Sequence, residues 1–84
     1  MYKVLLERRT ERDLRKLPAE LFLRIIPHLK TLSENPHPSG CRKITGSENA
    51  WRIRVGEYRI IYEVDSHAKT IKVMKVKHRK DAYR

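Results

Sequence analysis

The stretch AWRIRVGEYRIIYEV, residues 50–64, decides the fold. Trp51, Ile53 and Val55 share one parity and Arg52 and Arg54 the other, the period of a half-buried strand. Gly56-Glu57 is a two-residue loop with glycine first, a composition that closes tight hairpins. Folded about it, the segment pairs Val55 with Tyr58, Arg54 with Arg59, Ile53 with Ile60 and Arg52 with Ile61. Trp51, Ile53, Val55, Tyr58, Ile60 and Tyr62 then form an apolar face, and Arg52, Arg54 and Arg59 crowd together away from it. Like charges directly across strands destabilise a sheet. Two unit charges about 5 Å apart repel by roughly 1 to 3 kcal/mol at a surface-like dielectric. A polyanion laid over the face would offset that repulsion, and RNA is the polyanion expected. An ordinary solvated strand face is the competing reading of Arg52 and Arg54.

Working outward, residues 2–7 (YKVLLE) fit a first strand. Thr10, with Asp13 three positions on, resembles an N-cap with an approximate capping box, which predicts a short charged helix over 11–17. Pro18 suits the first turn of a second helix over 18–34, where Leu21, Ile25, Leu29 and Leu32, with Phe22 and Ile26, form an apolar stripe. Pro27 inside that stripe should kink or split the helix. Asn35-Pro36-His37-Pro38-Ser39-Gly40 ends the helical half. Residues 42–45 predict a short strand, 46–49 a turn, 50–55 and 58–64 the hairpin, and 70–77 a last strand. In that strand Ile71 and Val73 have one parity and Met74 and Val76 the other, so both of its faces should be partly covered. The expected class is α+β: two N-terminal helices packed on one face of a small, mostly antiparallel sheet, with the arginine face open.

Residues 1–84 suffice for one domain with a single modest core. Charged residues are 36% of the chain, yet 39% hydrophobic residues in clear periods argue for folding rather than disorder. The formal net charge is +10; residues 1–41 contribute +3 and residues 42–84 contribute +7, so the excess sits with the sheet and the tail. Such a bias points to nucleic acid, an anionic membrane or an acidic protein as partner. Cys41 is the single cysteine, which excludes an internal disulfide and suggests an intracellular, cytoplasmic setting. No apolar run reaches spanning length and the start lacks a signal-peptide core, so no membrane role is expected. His28, His37 and His67 are scattered without ligand spacing, so neither a metal nor another cofactor is expected.

The tail KHRKDAYR, residues 77–84, brings Lys77, His78, Arg79, Lys80 and Tyr83 directly after the last strand. If that strand lies beside the hairpin, Arg59, Arg79 and Tyr83 can converge over the open face. The W-R-I-R-x-G-x-Y-R-I-I-Y-x-V run, K-I-T-G at 43–46, the V-x-x-V-x-x-R at the end of the last strand and the following Tyr83 resemble the RelE-type toxins of the RelE/ParE toxin–antitoxin superfamily. The resemblance runs from the first strand to the chain end. It implies a small sheet of three or four strands with two helices packed on it, a ribosome-dependent cleavage of mRNA in the ribosomal A site, and a RelB-like antitoxin that wraps and neutralises the toxin. By the same resemblance Arg59 and Arg79 match two arginines that bind the scissile phosphate, and Tyr83 a tyrosine that orients the 2′-hydroxyl or stacks on a base.

The residue chemistry agrees. RNA is cut without metal when its 2′-hydroxyl attacks the adjacent phosphorus, given in-line positioning, charge stabilisation and help for the departing 5′-oxygen. Arginine suits the stabilising task because it is planar, permanently charged and bidentate toward phosphate. Arg52 and Arg54 stand where the relatives often carry lysine. Arginine cannot serve as a base, so His78 is the expected proton-transfer group, with Lys43 and Glu48 behind it. Arg52, Arg54, Lys43, Lys77 and Lys80 are the expected RNA phosphate contacts. For Tyr83 an anchoring role, and for His78 an ordinary surface position, are the competing readings. A ParE-like inhibitor of DNA gyrase and a non-catalytic basic RNA-binding module are the alternative functions.

Overall fold

The computed structural model describes residues 1–80. Its elements follow the chain as β1 (Lys3–Leu6), α1 (Arg8–Arg15), α2 (Ala19–Glu34), β2 (Arg42–Lys43), β3 (Ala50–Val55), β4 (Tyr58–Asp65) and β5 (Thr70–His78). The strands form one sheet in the order β1-β5-β4-β3-β2, with β1 parallel to β5 and every other pair antiparallel. Five strands exceed the three or four implied by the family resemblance. The class is otherwise the one expected, two helices on a mostly antiparallel sheet.

The hairpin register is the one alternation dictates: Val55 faces Tyr58, Arg54 faces Arg59, Ile53 faces Ile60 and Arg52 faces Ile61. Gly56, at φ +61, supplies the left-handed first loop position that a side chain would resist. Behind the hairpin, Ile53, Val55, Ile60, Tyr62 and Val64 join Ile71, Val73 and Val76 of β5 and Leu14, Ile25, Leu29 and Leu32 of the helices in one core. In α2 the buried Ile25, Leu29 and Leu32 lie at helical spacing, while Phe22 stays 36% exposed at the margin.

Pro27 neither ends nor splits α2. Its ring removes the bond that would end on the Leu23 carbonyl. Leu23 is 69% exposed, so water can take that acceptor and the helix continues.

Three local expectations are corrected. Thr10 is not an N-cap. The chain passes from β1 into α1 already at Arg8, with Glu7 at the cap position and no side-chain cap bond. Thr10 is buried, and its hydroxyl donates to the Val73 carbonyl at 2.9 Å. That carbonyl lies where the β1–β5 ladder runs out, with only a long 3.5 Å bond from the Glu7 amide besides. The strand over 42–45 shrinks to Arg42–Lys43. The two-sided cover of β5 also fails. The β4–β5 register shifts between Ile61 and Tyr62, so that Tyr62 faces Val73 and Ile61 faces Lys75, leaving Met74 as the extra residue of a bulge. The bulge returns Val76 to the core face, across from Ile60, and turns Lys75 to the open face.

Tyr62 closes the bottom of the core. It is fully buried, and its hydroxyl donates to the Pro36 carbonyl at 2.7 Å. The 35–40 loop is held from the same side by His37, whose ring stands edge-on to Trp51 with centroids 4.4 Å apart. Burial, with Cys41 beside it, pushes the Tyr62 phenol above its ordinary value.

Two stability predictions follow from these bonds. Thr10→Val should cost about 1–2 kcal/mol in denaturant unfolding, because it leaves a buried carbonyl with one long bond. An unchanged midpoint would show that the Val73 acceptor is satisfied elsewhere. For Tyr62 the proton binds more tightly in the folded than in the unfolded state. Its contribution is therefore complete below the unfolded value of about 10 and is lost as pH rises beyond it. Tyr62→Phe should destabilise by about 1 kcal/mol at neutral pH and should flatten the alkaline decline relative to wild type.

Candidate nucleic-acid interface

The side of the sheet turned away from the helices carries a cross-strand array of cations. Near the hairpin turn, Arg54 of β3, Arg59 of β4 and Lys77 of β5 stand in one row. One step along the strands, Arg42 of β2, Arg52 of β3, Ile61 of β4 and Lys75 of β5 form the next. Paired residues in neighbouring strands share a face, so six cationic side chains occupy a patch two residues deep. Arg52, Arg54 and Arg59 line a shallow open recess of about 280 Å³ together with Gly40, Arg42 and Ile53. The ion pairs seen among the described residues, Lys72 with Glu7 and His78 with Glu57, leave Arg52 and Arg54 without a carboxylate partner.

This geometry gathers some of the expected residues and separates others. Arg52, Arg54, Arg59 and Lys77 come together. Lys43 does not join them: it faces Trp51 across the β2–β3 pair, on the opposite parity, and Arg42 takes the place beside Arg52. Arg42 and Lys75 were hidden from sequence reasoning because Arg42 depends on the register of a two-residue strand and Lys75 on a bulge. Lys80 lies beyond β5 and is exposed. Tyr83 lies outside the described residues.

His78 is also displaced from its expected company. It faces Tyr58, on the parity of the core, whereas Arg59 faces Lys77 on the open side. Its ring stands edge-on to the Tyr58 ring with centroids 5.3 Å apart. Nε2 lies 3.1 Å from Glu57 Oε2, and Nδ1 accepts the Lys80 amide at 3.2 Å. An imidazole so engaged, on the far side of the sheet, is not placed to exchange a proton with RNA lying over Arg59. Arg79 follows immediately, and its amide donates to the Glu57 carbonyl at 2.7 Å. It lies one residue past the end of β5, two residues beyond Lys77.

Chemically the surface is a flat anion receptor. Arginine forks in a row can hold successive phosphates or one phosphate from two sides. No group of three or more His, Cys, Asp or Glu side chains among the described residues is arranged to hold a metal ion. No helix among them is long and apolar enough to cross a membrane.

Comparison with known proteins matches this architecture. Residues 4–83 fit the family described as ParE toxin of type II toxin-antitoxin system, parDE. Toxin RelG of Mycobacterium tuberculosis is 32% identical over 87 residues, covering 99% of this chain and 97% of that protein. The putative toxin RelE1 of Methanocaldococcus jannaschii is 28% identical over 86 residues, covering 99% and 96%. The archaeal RelE–RelB complex from Pyrococcus horikoshii superposes with a TM-score of 0.84 at 30% identity, covering 93% of this chain and 94% of that one. The chain belongs to the ParE toxin family of type II toxin–antitoxin systems and, within the RelE/ParE superfamily, is of the RelE type.

The array predicts a conflict between stability and binding. Arg52 faces Arg42 across strands and has Arg54 two residues along. Arg52→Thr should raise the unfolding free energy at low salt by up to about 1 kcal/mol, and the gain should shrink at 1 M salt, where the Debye length is about 3 Å. A loss of stability on this change, independent of salt, would mean that the guanidinium is a structural element.

Proposed function

We propose that this toxin is a ribosome-dependent endoribonuclease that cuts mRNA by attack of a 2′-hydroxyl on the adjacent phosphate. The observation that carries the reading is the row Arg54–Arg59–Lys77; Arg79 follows two residues after Lys77, its amide bonded to the turn at Glu57. Arg59 and Arg79 hold the scissile phosphate and stabilise the charge that grows on its oxygens as the 2′-oxygen bonds to phosphorus. The 2′-hydroxyl proton passes to solvent water as that bond forms; the bond to the 5′-oxygen then breaks, leaving a 2′,3′-cyclic phosphate and, once protonated, a 5′-hydroxyl. Lys77, directly across from Arg59, carries an ammonium that can pass a proton to the departing oxygen, which a guanidinium cannot do. Arg42, Arg52, Arg54 and Lys75 bind flanking phosphates. Tyr83 is assigned the orientation of the 2′-hydroxyl or a stacked base.

The openness of the recess supports dependence on the ribosome. A shallow patch grips a backbone but does not impose an in-line arrangement on a flexible strand. In-line geometry carries much of the rate advantage in such reactions, and an mRNA already fixed in the A site supplies it. The cytoplasm is the compartment this requires. The partner is an antitoxin of the RelB kind, as in the complex from P. horikoshii. An acidic, apolar segment would complement the +10 charge of the chain. It would bury the surface RNA needs.

The family description favours one second reading, inhibition of DNA gyrase in the manner of ParE toxins. Primer extension on a translated mRNA decides between them. Wild-type protein should produce discrete cuts, Arg59→Ala and Arg79→Ala should each reduce the rate by about 10²–10³-fold, and saturating antitoxin should abolish it. Intact message, together with loss of supercoiling by purified gyrase, would establish the other reading.

A further inference from the structure

The end of β5 is tied to the β3–β4 turn more closely than a sheet margin requires. The Glu57 carbonyl accepts the Arg79 amide at 2.7 Å, the Glu57 carboxylate lies 3.1 Å from His78 Nε2, and His78 Nδ1 accepts the Lys80 amide at 3.2 Å. One turn residue thus holds His78 and Arg79, through its side chain and its main chain, and one imidazole links that turn to the residue after Arg79. The Tyr58 ring closes the packing against His78. Arg24 of α2 backs the turn, its guanidinium 3.5 Å from where a Cβ on Gly56 would stand.

The contacts fix the ring's protonation state. An amide is only ever a donor, so the nitrogen facing the Lys80 amide must offer a lone pair. Nδ1 is therefore bare, and the proton sits on Nε2, where it donates to Glu57. We infer that Glu57 and His78 are positioning residues: as the Nε2–H tautomer, His78 clips the tail to the hairpin turn and sets Arg79 beside Arg59 for phosphate. This rests on the proposed reading of Arg59 and Arg79 as the phosphate pair, and it gives His78 a role without contact with RNA.

A proton added at Nδ1 turns the acceptor into a donor aimed at another donor. Such a proton would strengthen the attraction to Glu57 and break the Lys80 bond. Among the described residues, the charged and titratable groups around the ring are Glu57 on the turn, Tyr58 on β4, Lys77, Arg79 and Lys80 along its own segment, and Arg24 behind Gly56. Of these, Glu57 alone is acidic.

The test uses the full chain and separates the two ring nitrogens. An asparagine oxygen can replace Nδ1 as acceptor, whereas a glutamine amide reaches toward Nε2. His78→Asn should keep the Lys80 amide protected from hydrogen exchange. His78→Gln should keep the Glu57 contact and speed exchange at Lys80 at least tenfold. Long-range proton–nitrogen correlation on the wild type should show a bare Nδ1 and a protonated Nε2. Titration with inorganic phosphate should move the Arg59 and Arg79 Nε–H resonances together in the wild type, but Arg59 alone in His78→Gln and Glu57→Ala. In cleavage, His78→Gln should lower kcat about 10- to 100-fold with KM nearly unchanged and the thermal midpoint preserved. A proton on Nδ1, equal Lys80 exchange in all variants, or an undiminished Arg79 response in His78→Gln overturns the proposal. The resonance measurements need no cleavage, so a wild type that cuts no message would remove the nuclease reading while the clip is still decided.

Discussion

The register of a single hairpin sets what this molecule can do. Gly56-Glu57 closes it with two residues, and a strand's side chains alternate with a period of two. A slip of one position would bury Arg52, Arg54 and Arg59 among the helices and expose Ile53, Ile60 and Tyr62. The cost of burying guanidiniums is several kcal/mol apiece, so the register is determined strongly. The same alternation that builds the core against α1 and α2 therefore assembles the cations on the other side. Core and binding surface are two faces of one pattern, and neither could be altered in register without the other.

The rest of the sheet extends this division. β5 lies between β4 and β1, so the last strand is inserted beside the first and receives the hairpin on its other edge. Its bulge at Met74 does two jobs at once: it keeps Ile71, Val73 and Val76 on the core side and delivers Lys75 and Lys77 to the cationic side. A regular strand with this sequence would have turned Val76 outward with Lys75 inward. The local disorder of the ladder is what lets a strand of lysines and valines serve both faces.

These facts explain which parts of the molecule were legible in the sequence. The hairpin, its pairings, the apolar stripe of α2 and the class of fold follow from periodicity and one turn signal, which are local properties. What escaped depends on contacts distant in sequence. Thr10 with Asp13 spells a cap, but the hydroxyl serves Val73, 63 positions away. The signal is real in kind and overridden by tertiary packing. Lys43 and Arg42 are equal candidates by composition, and only the register of a two-residue strand separates them. His78 follows the bulge, so a parity count from Ile71 would set it on the open side, whereas the shifted register puts it opposite Tyr58 on the core side. Cationic composition points to a polyanionic partner, whereas the membership of the patch needed the coordinates.

A flat basic surface raises the question of specificity. Arginines in a row bind any phosphate backbone, and their affinity falls steeply with salt. The described recess offers little that could read a base edge. Were RNA the ligand, selectivity would have to come from outside the patch, either from a scaffold that presents the strand or from the exact setting of the residues around the phosphate. The like-charge crowding is consistent with this division of labour. It costs the free protein stability, and any polyanion or acidic partner that covers the face relieves it. RNA and an antitoxin would thus compete for the same relief. A partner that also supplies apolar contacts would win that competition even at salt concentrations that weaken the purely ionic one.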